Sequence, residues 1–272
     1  MARFEPHPSR RPVIIAGASS GIGAATAAEL AERGFPVALG ARRLDKCEEL
    51  ADQIRAGGGE AVALSLDVTD PDSVSGFVRR AGEELGDIEI LVAGAGDTFF
   101  GRLYEIDTED FESQIQIHLI GANRLATAVL PAMVSRQRGD VIFIGSDVAS
   151  RQRPHMGAYG AAKAGLTAMV TNLQMELEGT GVRASIVHPG PTQTGMGWNL
   201  PPESIAPALE DWAKWGQARH SYFLRAADLA RAVAFVAETP RGGFVATMEL
   251  QPEAPLSSAP KERQQLKYPE DQ

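Results

Sequence analysis

Short apolar runs alternate with helical patterns along nearly the whole chain, and that alternation restricts its fold more than any other feature. Val13–Ala16 and residues 37–40, 61–66, 88–93, 141–144, 184–187 and 244–250 are brief and rich in aliphatic side chains. Between them, residues 21–33, Leu44–Ala56 and residues 70–85, 108–133, 159–178 and 227–237 have Ala-rich or amphipathic helical spacing. Strands that are apolar throughout are buried on both faces, and strands joined by helices pair in parallel. About seven of them predict an α/β chain with a doubly wound parallel sheet and helices on both faces. The punctuation agrees: Gly34 is a natural stop for the first helix. Asp70 and Pro71 read as N-cap and first helical residue, and Thr108 as the cap of the long helix.

Two segments break the rhythm. Residues 195–222 form a long insert containing Pro201, Pro202 and Pro207, and residues 251–272 form a polar tail with four prolines. The expected organisation is an extension at 1–11, one domain over 12–250 with the insert inside it, and the tail. The single cysteine, Cys47, excludes an intramolecular disulfide and a multi-cysteine zinc site. No metal is expected. A net charge of −9 argues against nucleic-acid and anionic-membrane partners. Arg10 and Arg11 precede an apolar run at 13–18, as in a twin-arginine signal, but Ser19, Ser20, Gly21 and Gly23 interrupt it. No stretch approaches the ~18 consecutive apolar residues of a membrane span, so the expectation is a soluble, cytoplasmic protein.

Gly17, Ala18, Ser19, Ser20, Gly21, Ile22 and Gly23 join the first strand to the first helix. Glycines suit a turn with positive φ and a backbone that must approach a pyrophosphate closely. The helix N-terminus then offers free N–H groups and partial positive charge. The strand–turn–helix setting makes this a Rossmann-type phosphate site. With Ala16 before it, the string resembles the T-G-x-x-x-G-I-G signature of the short-chain dehydrogenase/reductase family, and the resemblance runs from residue 12 to about 250.

That resemblance implies a nicotinamide cofactor. At the end of the second strand, where a carboxylate would hold the ribose of NAD, stands Ala41, followed by Arg42 and Arg43. A guanidinium there suits the 2′-phosphate of NADP(H), with Ser19 adding a hydroxyl, so NADP(H) is expected over NAD(H). Asp67 and Val68 match the position that contacts the adenine. Ala93 and Gly94, within Leu91, Val92, Ala93, Gly94, Ala95 and Gly96, stand where the family usually has N-N-A-G. The glycines remain and the asparagines are lost. Pro189, Gly190, Thr192 and Thr194 resemble its P-G-x-x-x-T loop, with Thr192 or Thr194 meeting the carboxamide or phosphates.

Tyr159 and Lys163 are one helical turn apart on one face. A nearby ammonium and the nicotinamide's charge favour the phenolate, so Tyr159 can exchange a proton with a carbonyl or alcohol oxygen. Ser146 lies thirteen residues before Tyr159. The resemblance makes Ser146 the hydroxyl that orients the substrate oxygen, and Lys163 a ligand of the nicotinamide ribose. His118 stands where the family has an Asn that chiefly distorts the helix, so that a main-chain carbonyl holds a relay water. His118 is read as a packed histidine or as a modified proton relay. The insert is expected to act as a lid. It holds Trp198, Trp212 and Trp215, with Tyr222 and Phe223 after them, packing either a bulky apolar substrate or the lid itself. Phe99, Phe100, His155 and Met156 are candidate cleft residues, and Asp147 is read as facing an amine, a hydroxyl or solvent.

The resulting expectation is an NADP(H)-dependent oxidoreductase acting on a carbonyl or secondary alcohol, a bulky apolar one, with Ser146, Tyr159, Lys163 and His118 as catalytic residues. Its rivals are a nucleotide-binding protein without turnover and an NAD-linked alcohol dehydrogenase. A homodimer or homotetramer through the helices of His118 and Tyr159 is implied by the family.

Overall fold

Seven strands pair side by side in parallel, in the order β3-β2-β1-β4-β5-β6-β9. The computed structural model describes residues 4–196, 200–218 and 220–256. The chain runs β1 (Val13–Ala16), α1 (Gly21–Glu32), β2 (Val37–Ala41), α2 (Leu44–Ala56), β3 (Ala61–Ser65), α3 (Pro71–Leu85) and β4 (Ile90–Ala93). There follow α4 (Thr108–Ile115), α5 (Gly121–Ser135), β5 (Gly139–Ile144), α6 (Gly157–Glu176), β6 (Val182–Pro189) and β7 (Thr192–Gln193). The last elements are α7 (Pro202–Lys214), β8 (Leu224–Arg225), α8 (Ala226–Glu238) and β9 (Thr247–Leu250).

Two cores form because successive strand side chains point to opposite faces. Ile14, Leu91 and Phe143 enter one core with Phe77, Leu125 and Leu166. Their neighbours Val13, Ile15, Ile90, Val92 and Ile142 enter the other with Leu30 and Val233. Each fully buried large side chain contributes about 1.5–3 kcal/mol.

The strand order reverses beside β1, which pairs with β2 on one side and β4 on the other. A crevice opens at such a point, at the carboxyl ends of the strands. The N-terminal arginines are structural. Arg10 pairs with Glu60 at 2.6 Å, while buried Arg11 binds Asp140 and donates to the Ala237 carbonyl at 2.5 Å. Residues Thr108–Ser135 make a 28-residue helical run long and apolar enough, by composition, to cross a membrane. Here Leu125, Ala126, Val129 and Met133 of that run are buried in the first core.

Three local expectations change. Asp107, not Thr108, is the N-cap of α4. The last strand begins at Thr247, not 244, because the carbonyls of Thr239, Pro240 and Gly243 turn onto the Arg183 guanidinium at 3.0, 3.2 and 2.7 Å. The insert contains a helix, α7, that starts with Pro202 at its first position, where a missing N–H costs nothing.

Candidate active site

The crevice is a cleft of about 970 Å³. Its phosphate end is built by the turn between β1 and α1. Gly17 has φ +89°, and a Cβ there would lie 2.8 Å from the Ala95 Cα and the Gly94 carbonyl oxygen. A Cβ on Gly23 would lie 2.2 Å from the Gly17 carbonyl oxygen. Only hydrogens fit at either position, so the turn closes tightly against α1. Ser20, the N-cap, makes no side-chain capping bond, and the first turn of α1 has no acidic residue. Its amides are therefore left to an external anion, and this cradle fits a pyrophosphate. Ser19, Ser20, Gly21, Ile22 and Gly23 all line the cleft.

The two arginines divide. Arg43 donates to Ser19 Oγ at 3.0 Å and Ser20 Oγ at 2.7 Å. Arg42 is exposed and lines the cleft. Asp67 and Val68 line it too. The Asp67 carboxyl is held below its ordinary value, chiefly by hydrogen bonds from the Thr69 hydroxyl and amide, with Arg42 adding attraction. Gly94, Pro189, Gly190, Thr192 and Thr194 are on the wall, whereas Ala93 is buried in β4, level with Ala16 and Phe143. Thr192 is bonded to the Gly190 carbonyl at 2.8 Å.

Further in, β5 and α6 bring Ser146, Tyr159 and Lys163 together in the cleft, all buried. Ser146 Oγ accepts from the Val148 amide at 3.3 Å. Beneath it, His188 Nδ1 lies 3.0 Å from the Ser146 carbonyl oxygen. Gly145 leaves room for that ring, since a Cβ there would come within 2.5 Å of it. Lys163 Nζ donates to the Ile144 carbonyl at 2.8 Å and lies 5.6 Å from the centre of the Tyr159 ring. Burial pushes the Lys163 ammonium down to about 7. Burial also pushes the Tyr159 phenol up to about 12, against the pull of the Ser146 hydroxyl. The expected easing of ionisation is thus outweighed, in the chain alone, by desolvation.

His118 sits in a π-helical turn, Gln116–Ile120, between α4 and α5. Its Nε2 lies 2.6 Å from the Asp97 carbonyl oxygen, and its ring stands edge-on to Tyr159 with centroids 4.9 Å apart. Gly96 allows this approach, since a Cβ would be 2.4 Å from the imidazole. Burial, then Lys163, lowers the imidazole to about 3. The helix is thus distorted at His118, the position where the resemblance expects an Asn.

The insert docks on the loop between Ser146 and Tyr159. Trp212 Nε1 donates to the Pro154 carbonyl at 2.8 Å and its ring meets Phe100 at 5.8 Å. Asp211 binds His155 Nε2 at 2.8 Å. Met156, Tyr222 and Phe223 line the cleft, while His155 and Phe99 do not, and Trp215 is exposed. Trp198 lies outside the described residues. Asp147 is neither free nor solvated. Arg153 Nη1 reaches its Oδ1 at 2.9 Å and Nη2 its Oδ2 at 2.5 Å, and Gln251 donates to Oδ2 at 3.2 Å. Sequence reasoning missed His188, Gln251, Ile205 and His220. Gln251 and His220 carry no local signal, being single polar residues beyond a strand or after a helix. Among the described residues, no His, Cys, Asp and Glu cluster could hold a metal.

A dinucleotide-type cradle, with a Ser, a Tyr and a Lys buried beside it at the carboxyl ends of a seven-stranded parallel sheet, defines a nucleotide-dependent oxidoreductase class. The family model for short chain dehydrogenases matches residues 11–204, and the chain belongs to that family. It is 35% identical over 233 residues to the glycine betaine reductase ATRR of Emericella nidulans, covering 85% of this chain but only 18% of that protein. It is 33% identical to the Escherichia coli 3-oxoacyl-[acyl-carrier-protein] reductase FabG, covering 82% of this chain and 88% of the relative. Among solved structures it resembles an alcohol dehydrogenase from Thermococcus sibiricus complexed with 5-hydroxy-NADP, with 31% identity and TM-score 0.77, covering 89% and 96% of the two chains.

Proposed function

We propose that this protein is an NADP(H)-dependent reductase of bulky, largely apolar carbonyl compounds. The observation that carries the reading is the placement of Ser146, Tyr159 and Lys163 on one wall of the cleft, next to the glycine cradle. A nicotinamide held in the cradle would supply the hydride. Ser146 orients the carbonyl oxygen, and Tyr159 donates the proton to it. A phenol pushed up to about 12 remains protonated at neutral pH, the form that reduction requires. Lys163, held by the Ile144 carbonyl, would hold the nicotinamide ribose and, in its protonated form, places a positive charge beside the phenolate left behind. Phe100, Trp212, Ile205 and Leu209 wall the substrate half, which suits an apolar substrate and keeps water from the hydride transfer.

NADP(H) is favoured over NAD(H) by Ala41, which brings no carboxylate, and by Arg42 on the open cleft wall. Arg43 orders Ser19 and Ser20 beneath it. Arg42→Ala is expected to weaken NADPH binding by about 1.5–3 kcal/mol, the usual worth of a charged hydrogen bond, and to spare NADH. Isothermal titration with both cofactors checks this; an equal loss for both sinks the assignment. The relative solved with 5-hydroxy-NADP supports the same choice.

His118 acts in this reading as a packed positioning residue. Its Nε2 is committed to Asp97, and a value near 3 keeps it neutral through the working range. The free histidine value of 6.5 lies above the folded value of about 3. Between them the unfolded chain binds a proton that the folded chain does not, so stability falls as pH drops from 6.5 towards 3. His118→Asn is expected to flatten this loss in denaturant titrations and to leave the pH–rate profile in place. A moved alkaline or acid limb would restore the relay role.

The wider reading keeps the expected layout: an extension at 1–11, one domain over 12–250 with the lid at 195–222, and a tail at 251–272. It also keeps a cytoplasmic homodimer or homotetramer.

A further inference from the structure

His220, on the segment between α7 and β8, lines the substrate half of the cleft. Both its ring nitrogens are buried and neither has a hydrogen-bond partner. Removing an imidazole from water at both nitrogens is unfavourable unless something else satisfies them. Several charged side chains of the same cleft are already committed. Arg153 is paired with Asp147, Arg151 with Glu249 at 2.5 Å, and the Asp147 carboxylate also receives Gln251.

We propose that His220 is a specificity-determining residue that recognises a neutral hydroxyl on the substrate, away from the reacting carbonyl. The proposal rests on the reductase reading above. A neutral imidazole has one donor and one acceptor, and a hydroxyl, itself donor and acceptor, can pair with whichever nitrogen it meets. A carboxylate would call for an uncommitted cation, but Arg151 and Arg153 of this cleft are held by acids. Phe100, Ile205, Leu209, Trp212 and Phe223 line the same cleft, so the substrate is an amphipathic hydroxy-ketone or hydroxy-aldehyde. A site that keeps buried polar atoms for a hydroxyl rejects the analogue lacking it, because those atoms then stay unpaired.

The test compares NADPH-dependent reduction of aryl and alkyl methyl ketones in matched pairs, such as benzylacetone and its para-hydroxyphenyl analogue. Wild-type protein is expected to prefer the hydroxylated partner in kcat/KM by about tenfold or more, as loss of one buried hydrogen bond implies. His220→Leu collapses that ratio, and His220→Gln, which keeps a donor and an acceptor, restores part of it. An unchanged ratio in His220→Leu overturns the proposal. If wild type reduces ketones without any preference, only the His220 assignment fails; if it reduces none, the reductase reading fails with it. A second measurement needs no turnover. His220→Leu, which replaces unsatisfied buried nitrogens with an apolar side chain, is expected to raise the Tm of the ligand-free protein. A lower Tm means that the protein itself satisfies those nitrogens, and the proposal falls.

Discussion

Tyr159→Phe is expected to lower carbonyl reduction by about 10²–10⁴-fold, the usual contribution of a positioned general acid, while NADPH still binds. The substitution removes one oxygen and leaves the ring, which stands edge-on to His118. The α6 backbone and the cofactor cradle are then undisturbed, and the lost step is proton donation. Stopped-flow NADPH oxidation with a ketone panel, alongside fluorescence titration of NADPH, separates the two effects. Retained turnover means that another group donates the proton. Loss of both turnover and NADPH binding means that the change damaged the fold rather than the chemistry. Tight NADPH binding with no turnover even by wild type favours a nucleotide-binding protein that has lost catalysis.

Gly23→Ala is expected to be the most damaging single-methyl change in the cofactor cradle. The new Cβ would lie 2.2 Å from the Gly17 carbonyl oxygen and 2.7 Å from its carbonyl carbon. Both obstacles are main chain, so no side-chain rotation relieves the contact. Either α1 moves away from the turn or the turn opens, and each breaks the phosphate site. Overpacking of this kind costs at least about 3 kcal/mol, a fall of roughly 6–12 °C in Tm for a chain of this size. NADPH affinity falls with it. Gly76→Ala and Gly82→Ala in α3 are the controls. A Cβ at either meets nothing within 4 Å, so each is expected to raise stability by about 0.4–1 kcal/mol. Similar Tm changes for Gly23→Ala and the controls would show that the cradle is looser than its contacts imply.

Much of the architecture was legible because its signals are local. The apolar runs at 13–16 and 90–93 mark strands buried on both faces, and Asp70 with Pro71 marks the start of α3 through an Asp70 carboxylate that accepts from the Asp72 amide at 2.9 Å. The glycine turn, and the helical spacing of Tyr159 and Lys163, likewise carry geometry within a few residues. Illegible features depend on partners far away in the chain. The fate of Asp147 was open because its neighbours include Gln251, more than a hundred residues later. Residues 244–246 read as strand, yet the carbonyls just before them are drawn onto Arg183. The helix in the insert was hidden by three prolines, although Pro202 stands at its first position, where proline is favourable.

By itself, then, the sequence determined the parallel α/β class, the glycine turn between β1 and α1 and the shared helix face of Tyr159 and Lys163, because periodicity, turn chemistry and one-turn spacing act over short distances. Tertiary structure alone decided the titration of that pair. Tyr159 is raised and Lys163 lowered by burial, which no spacing encodes. It also decided that His118 bonds Asp97 across the cleft wall, that His188 braces Ser146, and that His220 comes to rest with both nitrogens unanswered. Burial and long-range hydrogen bonding depend on which distant residues the fold brings into contact, and only the assembled sheet settles that.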